Sequence, residues 1–403
     1  MRLNGLIHAG VKCWHIDDVA GHEERLATVL FAHLFGELSG IGSLHKGDFG
    51  ALLQEALGER RADARAAAGD KDGLASKVVK CCEAFHRHPL VSRDRSGRRL
   101  ASQLDWGHRP RLGIGDQMDA TVFDKRLSFL GEGPMWHPEA EALFWFDIMN
   151  ATLHRRVGEA YDAWSFPDCV SAGGWVDRQT LFIAGAAGFF TLDTETGTTS
   201  DVAPPASDPK TTRSNDGRAD PQGGFWIGTM GRNAESRAGA IHRYYKGEVR
   251  TLFERITIPN AICFAPDGGH AFFTDTADGR VWRQRLNAAG WPQGERELYL
   301  DFRGTGLNPD GAVVDAEGAF WNAQWGAGRV ARYLPDGSFD AEVRVGAAHS
   351  SCPAFGGPSL QTLYVTTAQE HMSEDDLANQ PLAGAVFSVE TPFQGQAEHR
   401  VIL

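Results

Sequence analysis

Residues 271 to 285 read Ala-Phe-Phe-Thr-Asp-Thr-Ala-Asp-Gly-Arg-Val-Trp-Arg-Gln-Arg, two short runs on either side of a tight turn. Aromatic and β-branched residues in runs of four or five are typical of strands, and Asp278-Gly279 between two such runs indicates a hairpin. Apolar residues do not recur with helical spacing here. The stretch therefore predicts a pair of antiparallel strands.

The same pattern occurs six times along the chain. The starts are 38 to 48 residues apart and lie at Leu143, Leu181, Phe225, Ala271, Ala319 and Leu363. This spacing is close to the period of about 40 to 50 residues expected for propeller blades. Six such pairs in phase predict an all-β fold, a six-bladed β-propeller over residues 118–403. Most prolines fall between the runs, where a lost backbone donor has no cost.

Composition predicts a soluble globular protein. The chain has 403 residues, of which 42% are hydrophobic and 23% charged. Because no apolar run approaches the roughly 18 residues of a membrane span and no signal-peptide pattern opens the chain, we expect a cytoplasmic protein without a membrane partner. The six cysteines have no Cys-x-x-Cys spacing and are expected to be buried or incidental thiols.

Charge is unevenly distributed. Residues 1–117 have 17 basic and 15 acidic side chains, whereas residues 118–403 have 23 and 37, and the whole chain has a net charge of −12. Nucleic-acid binding requires a basic surface, so an acidic propeller argues against nucleic acid as a partner. The same charge is compatible with a cation site. The oligomeric state cannot be predicted from these features.

The first 117 residues differ in pattern from the rest and receive no predicted function. Apolar residues at helical spacing predict a short, helical or partly disordered extension, with candidate helices at 24–38, 49–57 and 74–85. A second interpretation starts from Met118, which directly precedes the first plausible propeller strand, Met118–Phe123. The upstream part is then an extension from a misplaced start or a fusion. His86, His88 and the pair Cys81-Cys82 lack the paired spacing of a structural zinc site.

Polar residues at the inner ends of successive blades converge near the propeller axis, although they are far apart in sequence. Four polar segments occupy such positions relative to the predicted strand pairs: Leu130–Pro134, Arg213–Gly217, Ile258–Ala261 and Asn308–Gly311. Each alone is an ordinary turn sequence, as we expect for Asp267, Asp278 and Asp336 on the outer hairpins. As a set, Glu132, Asn260 and Asp310 supply two carboxylates and an amide oxygen. Such ligands suit a hard divalent ion, which would also explain two converging carboxylates.

These motifs resemble the regucalcin-like sugar lactonases, also called the senescence marker protein/gluconolactonase family. The resemblance covers about residues 121–403. It rests on Leu-Gly-Glu-Gly-Pro134 with Trp136, Phe-Trp-Phe-Asp147, Asn-Asp-Gly217 with Asp220-Pro221, Gly-Thr-Met230, Pro259-Asn260, Thr274-Asp275 and Pro-Asp-Gly311. Members of the family are six-bladed propellers with one divalent ion on the axis, in agreement with the blade count above.

The resemblance implies roles for individual residues. Glu132, Asn260 and Asp310 match the metal ligands, and Arg213 and Asn215 match the positions that bind substrate oxygens, with Asp216 beside them. The family often has a further polar residue soon after Gly-Thr-Met230; here we predict Glu235, in competition with Arg232 and Asn233. Calcium, magnesium, manganese, zinc and ferrous iron all accept oxygen ligands, so the metal stays open.

The predicted activity is metal-dependent opening of sugar lactones to aldonic acids. A divalent ion polarises the lactone carbonyl and activates water, Asp310 accepts the proton of that water, and Arg213 and Asn215 orient the sugar hydroxyls. No Gly-x-Ser-x-Gly or cysteine setting indicates a covalent nucleophile, and His137 is expected to be a structural hydrogen bonder. Two alternatives stay open: a non-enzymatic propeller that binds calcium or small molecules, and a hydrolase of other esters or phosphotriesters.

Overall fold

The structure, a computed structural model, describes residues 3–8, 11–16, 91–93, 99–101 and 116–403. The chain divides into two compact units, 1–106 and 107–403. The described parts of the first unit are two antiparallel hairpins, β1 (Leu3–His8) with β2 (Val11–Ile16) and β3 (Val91–Arg93) with β4 (Arg99–Ala101). The helices predicted at 24–38, 49–57 and 74–85, and the Cys81, Cys82, His86 and His88 set, lie outside the described residues.

The second unit contains six sheets of mainly antiparallel strands, which confirms the six-bladed all-β propeller. Blade 1 consists of β7 (Gly131–His137), β8 (Ala142–Asp147), β9 (Thr152–Val157) and β10 (Ala160–Ser165). Blade 2 consists of β11 (Val170–Trp175), β12 (Thr180–Gly185), β13 (Gly188–Asp193) and β14 (Thr199–Ala203). Blade 3 consists of β15 (Thr212–Ala219), β16 (Phe225–Gly231), β17 (Gly239–Tyr245) and β18 (Glu248–Ile256).

Blade 4 consists of β19 (Pro259–Phe264), β20 (His270–Asp275), β21 (Arg280–Arg285) and β22 (Glu297–Asp301). Blade 5 consists of β23 (Asn308–Val314), β24 (Phe320–Trp325), β25 (Arg329–Tyr333) and β26 (Phe339–Arg344). Blade 6 begins with β27 (Ser350–Gly356), β28 (Thr362–Thr367) and β29 (Val386–Glu390). The predicted runs are the second and third strands of each blade.

The propeller is closed by residues from the start of its own segment. β6 (Thr121–Asp124) pairs antiparallel with β29 as the fourth strand of blade 6, and β5 (Asp116–Asp119) adds to blade 5 parallel to β26. The predicted strand at 118–123 is thus present as the end of β5 and most of β6. The pairing covers the backbone groups of β29, which would otherwise form an open sheet edge.

The hydrophobic core is divided among the contacts between neighbouring blades. Trp145, Trp226 and Trp321 on the second strands of blades 1, 3 and 5 are fully buried. In β8 every residue is buried, so both faces of the strand are covered. Burial on both faces explains why the second strands read as continuous apolar runs without alternation.

The Asp-Gly sequences at Asp267, Asp278 and Asp336 form turns, as predicted. The following glycines have φ angles of 65°, 72° and 87°, in the left-handed region that favours glycine. One helix follows β28: α1 (Glu374–Asn379), with Ser373 and Asp376 forming a capping box. None of the helices within the described ranges has the length and apolar character needed to cross a membrane.

Candidate active site

The first strand of each blade lies next to the first strands of the neighbouring blades, so these six strands surround the axis. Each has a register shift at a similar position, at Glu132/Met135, Val170/Ala172, Ser214/Gly217, Asn260/Cys263, Pro309/Ala312 and Ser350/Cys352. A bulge bends its strand and redirects side chains. The predicted residues Glu132, Asn215, Asp216, Asn260 and Asp310 lie within or beside these bulges, toward the N-terminal ends of the innermost strands.

Three carboxylates converge at this end of the axis. Glu132, Asp216 and Asp310 are 5%, 4% and 5% exposed. Burial raises the pKa of Glu132 to about 8, and the charge of Asp216 adds to this rise. Burial raises the pKa of Asp216 to about 6 and the pKa of Asp310 well above its usual range, where the charges of Glu132 and Asp216 also contribute. The cluster therefore favours protons or a cation.

The amide of Asn260 is held in one orientation. Its Nδ2 donates to Thr276 Oγ1 at 2.8 Å, and that hydroxyl donates to the carbonyl of Pro309 at 2.7 Å. With the nitrogen occupied, Oδ1 is the atom available to a metal. Thr276 therefore links the predicted ligand on blade 4 to the residue before Asp310 on blade 5. The motifs in the sequence did not identify Thr276.

Asn215 joins the predicted substrate-binding residues to the predicted metal ligands. Its Oδ1 accepts from Arg213 Nη1 at 2.8 Å, and its Nδ2 donates to Asn260 Oδ1 at 2.9 Å. All three side chains are buried. The structure thus brings Arg213, Asn215 and Asn260 into one hydrogen-bonded chain.

Asp216 forms a hydrogen bond with the backbone of the next blade. Its Oδ2 accepts from the N–H of Ile262 at 2.6 Å. The preceding residue, Ala261, is fully buried and has a φ of 59°, an unfavourable conformation for a residue with a side chain. Asp216 therefore helps to stabilise the bulge beside Asn260.

Arg213 has an unsatisfied donor. Its Nη1 donates to the carbonyl of Ser214 at 3.0 Å as well as to Asn215, whereas its buried Nε has no hydrogen-bond partner within the described part of the chain. Burial lowers the pKa of Arg213, and among neighbouring charges Glu370 acts most strongly in the opposite direction. A buried donor without a partner indicates a place for a ligand oxygen.

The structure does not bring Glu235 into this cluster. Glu235 is exposed, and its carboxylate accepts from the N–H and the side-chain amide of Asn233 at 3.0 and 2.9 Å. Arg232 in the same loop lies nearer, because its charge acts on Arg213. Arg232 is itself held by Asp168 at 2.8 Å. Of the three residues that competed for this position, Arg232 is thus the one whose charge acts on a candidate site residue.

Glu370 is a member of the site that the sequence motifs missed. It lies just after β28, and its charge acts on Glu132, Asp310 and Arg213. Its N–H donates to the carbonyl of Phe129, next to the first strand of blade 1. The six-fold repeat could not indicate this residue, because it belongs to a connection that only blade 6 has.

Two aspartates hold the loops that lead into strands with candidate metal ligands. Asp147, at the end of β8, accepts from the N–H groups of Phe129 and Leu130 at 2.8 and 3.2 Å. Asp275, at the end of β20, accepts from Thr257 and Ile258 at 2.8 and 3.0 Å. Such contacts fix the backbone next to Glu132 and Asn260 and so limit how far these side chains can move.

Residues considered for other chemistry are structural. His137 is buried, and its Nδ1 accepts from the N–H groups of Glu139 and Ala140, both at 3.2 Å, which agrees with the predicted structural role. Cys169, Cys263 and Cys352 are buried free thiols whose pKa values are raised by burial. A raised pKa disfavours the thiolate, so these three cysteines are poor nucleophiles.

The donors at the axis fit a hard divalent ion. Within the described residues, no three His, Cys, Asp or Glu side chains are arranged to hold a metal ion. The predicted set contains an amide, which lies outside those four residue types. Two mutually repelling buried carboxylates beside an oriented amide oxygen are the chemistry that a hard cation stabilises. We therefore assign Glu132, Asn260 and Asp310 as the candidate ligands.

Comparison with known proteins decides the family. A model of the SMP-30/Gluconolactonase/LRE-like region matches residues 130–369, more than half of the chain. The chain belongs to this family. A Rhizobium meliloti member, provisionally named a sugar lactone lactonase, is 40% identical over 280 residues, which is 69% of this chain and 95% of that protein. The L-arabinolactonase of Azospirillum brasilense is 33% identical, over 70% of this chain and 95% of its own length.

A solved structure of the family has the same fold. The calcium-binding protein regucalcin from Agrobacterium tumefaciens is 39% identical and superposes with a TM-score of 0.70. The match covers 72% of this chain and all of that one. The family and the propeller fold expected from the sequence are both confirmed.

Proposed function

We propose that this protein hydrolyses sugar lactones to aldonic acids with the aid of one divalent ion. The main support is the convergence of Glu132, Asn260 and Asp310 beside the linked pair Arg213 and Asn215. Relatives named for the opening of sugar lactones, including the 6-deoxy-6-sulfogluconolactonase of Pseudomonas putida at 33% identity, support the substrate class.

A bound divalent ion would polarise the lactone carbonyl and increase the acidity of water. Asp310 has two oxygens, so one can bind the metal while the other accepts the proton of the attacking water. Arg213 supplies donors for sugar oxygens through its unpartnered Nε. Asn215 fixes the relative positions of Arg213 and Asn260, because its Oδ1 accepts from Arg213 and its Nδ2 donates to Asn260.

The arrangement also distinguishes an enzyme from an ion-binding protein. A protein that only binds calcium has no need for a buried cation with an unsatisfied donor beside the metal ligands, because that cation repels the ion. An oxygen-rich substrate gives Arg213 a partner. This observation favours catalysis over the binding propeller.

The first experiment follows acid release from glucono-, galactono-, xylono- and arabinono-lactones with chelator-stripped protein. Calcium, magnesium, manganese, zinc and ferrous iron are each added back in turn. We expect hydrolysis above the spontaneous rate that is lost with chelator and restored by at least one metal. A folded, metal-loaded protein that leaves every lactone at its spontaneous rate would contradict the proposal and favour the binding propeller.

A further inference from the structure

Glu370 lies close to the candidate site, because its charge acts on Glu132, Asp310 and Arg213. Residue 368 forms a bridge with Leu130, and the N–H of Glu370 donates to the carbonyl of Phe129 at 3.0 Å. Both contacts are made to the segment that leads into β7, two to three residues before Glu132. The backbone at Glu370 is thus fixed to the segment that precedes a candidate metal ligand.

The connection that bears Glu370 is held at several points. Gln369 Nε2 donates to the carbonyl of Ala383 at 3.1 Å, and the N–H of Gly384 donates to Thr367 Oγ1 at 3.0 Å. Gln380 Oε1 accepts from the N–H of Ala348 at 2.7 Å. A side chain on such a fixed connection can determine specificity, because its position does not depend on a free loop.

The side chain of Glu370 is partly buried beside the candidate site. Its side chain is 19% exposed, and its nearest ionic neighbour, His371 Nε2, lies at 3.8 Å, beyond hydrogen-bonding distance. Among the residues that the structure describes, no donor hydrogen-bonds to this carboxylate. A carboxylate that is partly exposed beside the candidate site and has no protein donor is free to accept a hydrogen bond from a ligand hydroxyl.

Arg213 has the complementary feature, a hydrogen-bond donor without an acceptor. Its buried Nε has no acceptor within the described residues, and Glu370 is the neighbouring charge that acts on it most strongly. The two groups nevertheless form no ion pair in the described structure. A molecule between them that offers both hydroxyl hydrogens and oxygen lone pairs would satisfy both, as adjacent sugar hydroxyls do.

We propose that Glu370 binds a substrate hydroxyl opposite Arg213 and determines which sugar lactones are accepted. This inference rests on the proposed lactone hydrolysis. Glu370 accepts a hydrogen bond from the sugar while Arg213 donates to a neighbouring oxygen, and the metal ligands stay on the floor of the pocket. Lactones lacking the hydroxyl that meets Glu370 are poor substrates.

The test compares wild type, Glu370→Gln and the matched control Glu374→Gln, an exposed carboxylate on α1 in the same connection. The kcat and KM values are measured for the best lactone and for its singly deoxygenated analogues. A hydrogen bond to a charged acceptor predicts a loss of about tenfold to a hundredfold in kcat/KM for Glu370→Gln on the parent lactone. One deoxygenated analogue should show no such loss, and Glu374→Gln should match wild type on all.

Failure of the Glu370 role and failure of the proposed lactone hydrolysis give different results. Wild-type protein that opens no lactone overturns the proposed function and this inference with it. An active wild type with an unchanged Glu370→Gln, or with an equal loss on every analogue, overturns the role of Glu370 alone. Metal titration by calorimetry should give the same affinity for wild type and Glu370→Gln, and a hundredfold loss would make Glu370 a metal ligand and overturn the assignment.

Discussion

Asp310 and Arg213 belong to one candidate site but should affect different steps. We expect Asp310→Ala to lower kcat by at least about a hundredfold and to weaken metal binding, since it removes both a ligand and the proton acceptor. Arg213→Ala should lower kcat/KM by about tenfold to a hundredfold while the metal affinity stays within a few fold. Steady-state kinetics and metal titration check both variants. Full lactone hydrolysis by Asp310→Ala would contradict the assigned mechanism.

The raised pKa of Glu132 predicts a pH dependence of the metal-free protein. In the folded state Glu132 keeps its proton up to about pH 8, whereas the usual glutamate pKa is 4.5. The unfolded chain therefore binds fewer protons between these values, so the free energy of unfolding falls as pH rises through this window. A divalent ion should remove this penalty, and its apparent affinity should increase with pH because binding displaces protons.

The measurement is thermal unfolding from pH 5 to 8 with chelator, for wild type and Glu132→Gln. The difference between the two proteins isolates this carboxyl from the others that titrate. The glutamine variant should gain stability relative to wild type as pH rises, by at most about 1.4 kcal/mol per pH unit. A constant difference across the range would show that Glu132 does not hold a proton in the folded state.

At the scale of single elements, blades 3 and 5 each contain a buried Asp–Arg ion pair at the equivalent position. Asp220 follows β15, accepts from the N–H of Gly224 at 2.9 Å and pairs with Arg243 on β17 at 2.6 Å. Asp315 follows β23 and pairs with Arg332 on β25 at 2.8 Å. In each case the aspartate both forms the turn into the second strand and binds the third strand. The pair thus fixes the hairpin that begins with an innermost strand bearing candidate site residues.

Removal of one partner should therefore destabilise blade 3. Both side chains of the Asp220–Arg243 pair are fully buried, so Asp220→Ala leaves an unpaired charge, and we expect a loss of about 3–5 kcal/mol in unfolding free energy. The control is Asp278→Ala, because the Asp278–Arg280 pair is about one-third exposed and should contribute less than about 1 kcal/mol. Equal denaturant midpoints for the two variants would contradict this difference.

At the scale of the whole propeller, the C-terminal segment closes the end of the axis opposite the candidate site. Gln396 Nε2 donates to the carbonyls of Phe264 and Val314, the last residue of β19 and of β23, at 3.0 and 2.8 Å. Glu398 forms an ion pair with Arg218 near the end of β15. The tail therefore connects three blades at the C-terminal ends of their innermost strands.

Glu398→Ala should destabilise the whole propeller. The side chains of Arg218 and Glu398 are only 12% and 9% exposed, so Arg218 would lose its main counter-charge in a buried position. We expect a loss of about 3 kcal/mol in unfolding free energy. Glu248→Ala, which removes an exposed pair with Arg250, serves as the control and should change stability by less than about 1 kcal/mol. Chemical denaturation measures both, and a wild-type midpoint for Glu398→Ala would contradict the role of the tail.

Local features of the chain predicted much of the fold. The second and third strands of every blade were evident, because their apolar runs and intervening turns depend on nearest neighbours in sequence. The turns after Asp267, Asp278 and Asp336 were predicted for the same reason, since only glycine adopts their backbone angles without strain. The candidate ligands Glu132, Asn260 and Asp310 came from short motifs in phase with these runs, and their role stays a prediction.

Other features depend on contacts between distant residues. The pairing of β6 with β29 joins residues more than 250 positions apart, and the tail contacts at Phe264 and Val314 are also distant in sequence. Glu370 enters the site from a connection outside the repeat, whereas Glu235, predicted from its distance to a motif, points to solvent. Hydrophobic periodicity and the residue preferences of turns depend on a few neighbouring residues, so they can be predicted from the sequence. The direction of a polar side chain is set by bulges and by packing from other blades, which form only when the propeller closes.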